Sequence, residues 1–172
     1  MHRAVAVLLV FFAGVSVLGG APPISGQSQA ALALIPFNWQ QQLHYNMVFL
    51  GPRRGLRAMT FSDKHLIEVY LRPKDDADLV AFDIAHELGH AIDFTYNTPE
   101  SRKKWMALRG IDPNTPWFGG NGKSDYDTPA GDFAETFALL VRGPKYFRAR
   151  IARPPTEAQV QALRAFFPQG IF

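Results

Sequence analysis

The sequence predicts an α+β domain in which a small antiparallel sheet, about residues 43–71, packs on a long apolar helix and a following helical part. Three observations lead there. Residues 43–71 contain short β-rich runs separated by turn signals. Residues 77–96 are apolar around most of a helical circumference, as the buried spine of a domain is. Beyond them, Thr-Pro and Thr-x-x-Gln sequences mark one helix start after another. With 47% apolar and 19% charged residues, the 172-residue chain is not disordered, and its length suits one folded domain.

In chain order, Met1-His2-Arg3 is a short basic start, and the 18 residues Ala4–Ala21 carry no charge. That is the pattern of a secretory signal peptide, with small residues such as Ser28-Gln29-Ala30 offering a cleavage point. The rival reading is a retained anchor, although the stretch is shorter than the ~20 residues of a comfortable membrane span. Residues 22–30 read as a linker, so the domain is expected over 31–172. Strands are expected at Leu43–Leu50, Leu56–Phe61 and His65–Leu71, with Gly51-Pro52-Arg53-Arg54-Gly55 as a turn. If the strand at 65–71 is a sheet edge, it can pair with an extended peptide. Asp75, Asp76 and Asp78 suit the positive end of the helix dipole and open helix 77–96. Thr98-Pro99-Glu100 starts a helix ending at Gly110, Thr128-Pro129 starts 129–142, and Thr156 with Gln159 starts 157–167. The loop 111–127 is long enough to suggest a functional role. Arg142, Arg148, Arg150 and Arg153 read as a solvated basic end of the domain.

The absence of cysteine excludes disulfides, thiolate metal sites and cysteine nucleophiles. A formal charge of +3 without a basic run gives no nucleic-acid surface. Any metal site must therefore be built from His, Asp and Glu. His86-Glu87-Leu88-Gly89-His90 has that chemistry. On a helix, residues i and i+4 share a face, so the two imidazoles can hold one Zn²⁺ with Glu87 beside them as general base. A catalytic zinc has three protein ligands. A third histidine six residues past His90 is excluded, because Tyr96 stands there. Glu135, flanked by Ala134, Phe137 and Ala138, is a carboxylate in apolar surroundings that wants a cation. Asp132, one turn earlier, is the alternative ligand or a partner of a ligating imidazole. Asp93 lies on the same helix face as the histidines and is expected to accept a hydrogen bond from one of them, with Asp83 a weaker version of the same idea. Tyr126 in the long loop, with Tyr96 behind it, is the candidate donor to a developing oxyanion.

The pair HELGHAID and GDFAETFA resembles the gluzincin zinc metallopeptidases. Ala134-Glu135 followed by Phe137, and the 44 residues between His90 and Glu135, are similar to the lethal-factor and Pro-Pro endopeptidase group. The resemblance covers about 77–141. It implies a zincin-like fold, with His86, His90 and Glu135 as zinc ligands and Glu87 as base. Members of that group carry a tyrosine seven residues before the ligand glutamate. Here that position is Thr128, and Tyr126 stands two residues earlier. The expected protein is an exported zinc peptidase, probing peptide or protein substrates as a monomer and meeting a membrane only through an uncleaved N-terminus. Its alternatives are a non-catalytic zinc-stabilised module and an amidase acting on cell-wall peptide.

Overall fold

The computed structural model describes residues 26–120 and 122–172, so residues 1–25, with most of the expected leader, lie outside the described residues. Among the described residues, six α-helices accompany a three-stranded sheet, an α+β architecture. The helices are α1 (Gly26–Leu32), α2 (Trp39–Leu43), α3 (Ala77–Tyr96), α4 (Pro99–Arg109), α5 (Pro129–Arg142) and α6 (Glu157–Arg164). The strands are β1 (Asn46–Leu50), β2 (Ala58–Phe61) and β3 (Leu66–Tyr70). Among the described residues, no helix is long and apolar enough to cross a membrane.

α3 is the spine. Asp76 caps it, its side chain accepting from the Leu79 N–H at 2.7 Å, and Phe82, Ile84, Leu88 and Ile92 are all buried. α5 lies along it as its main partner. Both α4 and α6 open with reciprocal capping boxes, Thr98 with Ser101 and Thr156 with Gln159. Trp105, Phe133, Phe137 and Phe167 pack edge to face and tilted, tying α4 and the C-terminal segment to α5.

Three expectations are corrected. The sheet is mixed, in the order β1-β3-β2: β3 pairs antiparallel with β2 but parallel with β1. Side-chain alternation has the same period in either direction, so it could not reveal this. The link between β1 and β2 spans the sheet, fastened where Arg72 Nη2 donates to the Leu56 carbonyl at 2.7 Å. β3 is consequently the central strand, and the outer strand on one side is β2. Second, residues 26–30 are not linker. They form much of α1, which packs on α3 with Ser28 and Ala31 buried, and the cut considered after Ala30 falls inside this helix. Third, residue 43 closes α2, with His44 in the left-handed region at φ 56°, so the first strand starts at Asn46.

Candidate metal centre

His86 and His90 sit one turn apart on α3, and their Nε2 atoms approach to 3.2 Å. Asp125, in a single 3-10 turn (Asp125–Asp127) before α5, places Oδ2 3.0 Å from His86 Nε2 and 3.2 Å from His90 Nε2. Ligand atoms around a tetrahedral zinc with bonds of about 2.0–2.1 Å stand about 3.3 Å apart. The triangle of two imidazole nitrogens and one carboxylate oxygen therefore has the size and the donor chemistry of one face of such a site.

The close approach of α3 and α5 builds the other side. A Cβ on Gly89 would come within 2.7 Å of the Ala134 Cα, so the two backbones touch only because position 89 has no side chain. The next residue, Glu135, thereby reaches His86 and places Oε1 2.9 Å from Nδ1. Its other oxygen accepts the Arg148 backbone N–H at 2.5 Å. Glu135 thus lies behind the His86 ring, and not at the Nε2 cluster where the sequence expectation put it.

Electrostatics around the cluster follow from these contacts. Burial by itself would lower the His86 pKa, but the hydrogen bonds to Asp125 and Glu135 outweigh it and raise it well above the usual imidazole value. His90 is raised too, burial being overcome by the Asp125 charge. Burial pushes the Asp125 carboxyl up, but His90 and His86 hold it far below the usual carboxylate range. The group as a whole favours positive charge at its centre.

The cluster floors a cavity of about 730 Å³. Glu87 lines it, held from the sheet by Thr60, whose Oγ1 is 2.7 Å from Glu87 Oε2 and 3.0 Å from the Glu87 carbonyl. Ala58, Met59 and Thr60 of β2 form a wall, and β3, being central, is not the sheet edge at which a peptide could pair. Tyr126 also lines the cavity, with its ring against His86 at 5.8 Å. Its hydroxyl accepts from Arg148 Nη1 at 3.0 Å. Arg148 is itself a cavity residue and not part of a solvated basic end, while Arg142 and Arg150 pair with Asp78 and Asp127.

The remaining expectations are placed elsewhere. Asp93 meets neither histidine: Arg102, Asn97 and the Trp117 indole take its carboxylate at 2.8–3.1 Å. At a rise of about 1.5 Å per residue it stands about 4.5 Å past His90 along the helix, where Arg102 of α4 meets it. Asp132 is bound by Arg109 through two bonds of 2.8 Å and by the Trp105 indole at 3.0 Å, away from the cluster. Tyr96 donates to the Gln42 carbonyl. Asp83 lines the cavity but pairs with Arg57 at 2.7 Å. The residue that sequence reasoning missed is Asp125. The only local signal for it was an acid next to Tyr126, and Asp127 offered the same signal. No family model matches the chain, and no curated protein or solved structure matches it.

Proposed function

We propose that this protein is an exported zinc-dependent peptidase of zincin-like fold. The observation that carries the reading is the convergence of the His86 and His90 Nε2 atoms at 3.2 Å on the floor of a cavity whose wall holds the Glu87 carboxylate. Two imidazoles facing each other at this distance, His86 buried and His90 partly so, repel once both are protonated, whereas a shared divalent cation satisfies both. His86 and His90 would hold a Zn²⁺, which when bound would supply Lewis acidity toward a water and a scissile carbonyl.

The chain's own groups supply the rest. Glu87 takes the proton of the attacking water and returns it to the leaving amine. Thr60 fixes the carboxylate for that task, so that the base is oriented before substrate arrives. Arg148, with its guanidinium on Tyr126 Oη, puts positive charge and a polarised hydroxyl on the wall next to His86, where a tetrahedral oxyanion would need donors. An extended peptide can add to the outer edge of β2, carrying a backbone carbonyl past the cluster. The uncharged run Ala4–Ala21 supports action outside the cytoplasm.

Metal content and peptide-library cleavage of the wild type and Glu87→Gln test this. The wild type is expected to carry one zinc and cleave. Glu87→Gln should keep the zinc and lose about 10²–10⁴-fold in rate, the usual worth of a general base. Equal cleavage by both proteins would overturn the reading.

A further inference from the structure

We infer that Asp125 is the third protein ligand of the metal, brought in from the loop and admitted by Gly131, while Glu135 orients His86 from behind. The inference rests on the zinc reading above and assigns its ligand set. Three independent features of the fold point to it.

The first is which nitrogen faces what. An imidazole has two nitrogens, and a carboxylate on one fixes the tautomer that leaves the other as a lone-pair donor. Glu135 Oε1 accepts from His86 Nδ1–H at 2.9 Å, so Nε2 is the metal-facing atom. Glu135 then lies on the opposite side of the ring from that atom. Its second oxygen is taken by the Arg148 N–H, and its side chain is 1% exposed. Bringing Glu135 to the Nε2 side would break both of these hydrogen bonds. Asp125 Oδ2 is already there, completing the triangle with edges of 3.0, 3.2 and 3.2 Å.

The second is Gly131, in the first turn of α5. A Cβ there would lie 2.1 Å from the Asp125 carbonyl oxygen and 2.7 Å from Asp125 Oδ2. These are clashes with backbone and with the ligating atom, so no other residue fits without displacing Asp125. The space that a side chain at 131 would take is filled by the Asp125 carbonyl and carboxylate.

The third is that Asp125 is held from its own side as well. The Thr128 side chain caps α5 by accepting the Gly131 N–H at 2.9 Å and donates to the Asp125 carbonyl at 2.7 Å. Helix α5 therefore contributes twice: its start fixes Asp125, and its next turn fixes the tautomer of His86.

Zinc affinity is measured by competition with a chromophoric chelator for the wild type, Asp125→Asn, Gly131→Ala, Glu135→Gln and Asp127→Asn, with circular dichroism reporting that each is folded. Losing a hydrogen-bond partner of a ligating histidine costs about 10–100-fold in affinity. Glu135→Gln is expected within that range. Asp125→Asn should lose more than that, Gly131→Ala should follow it, and Asp127→Asn should match the wild type. The chain has no cysteine, so Asp125→Cys adds a single thiol to the molecule. Its cobalt-loaded form is expected to show a thiolate-to-Co²⁺ charge-transfer band that the wild type lacks. If Asp125→Asn binds zinc like the wild type, or if cobalt-loaded Asp125→Cys lacks the band, the assignment is overturned. A wild type that binds no metal at all would instead sink the zinc reading on which the assignment stands.

Discussion

Asp93 and Asp132 are as deeply buried as Glu135, and all three project from the same pair of helices, α3 and α5. They are met by different partners. Asp93 is gripped by both arms of Arg102 and by the Trp117 indole. Asp132 is gripped by both arms of Arg109 and by the Trp105 indole. In each case α4 provides a guanidinium that cannot lose its charge, and an indole fills a remaining lone pair. These carboxylates are closed structural joints between α4 and the helix pair. On the other face, among the described residues, Glu135 meets an imidazole and a backbone N–H, and Asp125 meets two imidazoles and the Thr128 hydroxyl; of these partners only the imidazoles can gain or lose a charge. One chain thus shows two ways to bury an acid. A permanent cation seals it into the fold, and a titratable nitrogen would leave it free to serve the proposed metal.

The largest expected effect tests the sealed side. Asp132→Ala leaves Arg109 buried without its partner, a loss of about 3–5 kcal/mol in stability. The protein that remains folded should still bind one zinc, because Asp132 touches no member of the cluster. Denaturant unfolding and metal titration check the two halves. If Asp132→Ala shed its zinc while unfolding at the wild-type midpoint, the division between the two faces would be broken.

Metal removal tests the exchangeable side and comes next. No disulfide braces the chain, and a metal joining α3 to the start of α5 would be its strongest cross-link. At free zinc about 100-fold above Kd, binding contributes about 2.7 kcal/mol, so chelator should lower Tm by several degrees. The gap should widen with pH. His86 has a raised pKa, so without metal its stabilising contribution is full below the ordinary value of 6.5 and is lost as pH rises through the raised value. Zinc binding strengthens over the same range, because the ligands must shed their protons. Calorimetry with and without chelator at several pH values measures this; a Tm gap that shrinks as pH rises would contradict it.

The same comparison shows how far the sequence could be read. The bounds of α3 and α5 were legible because caps, Thr-Pro starts and apolar periodicity are local. The pairing of His86 with His90 was legible because i, i+4 geometry is carried by the helix itself. The need of Glu135 for a partner was legible from its apolar neighbours, whereas Asp93 was marked by its place on the histidine face of the helix and Asp132 by its place one turn before Glu135. Which partner each would find was not legible. Arg102 and Arg109 reach Asp93 and Asp132 only through the docking of α4, and Asp125 reaches the histidines only because two glycines permit close approaches, Gly89 between helices and Gly131 between helix and loop. The direction of β1 was hidden for a similar reason, since strand alternation reports which face is buried and is silent on orientation.

The smallest expected effect concerns Thr60, where the two faces are joined by neither an arginine nor an imidazole. Its hydroxyl is the contact through which the sheet holds the proposed base, Glu87. Thr60→Val keeps the shape and β-propensity of the residue and removes one hydrogen bond. A lost bond of this kind is worth about 1–1.5 kcal/mol, or roughly tenfold in rate. Because Thr60 acts on the carboxylate and not on the metal ligands, kcat should fall while zinc affinity stays at the wild-type value. KM should also change little, since the β2 backbone that would pair with a peptide is untouched. A fall in zinc affinity matching that of Glu135→Gln would instead show that the sheet supports the metal cluster itself. The base would then belong with the closed joints rather than with the exchangeable side.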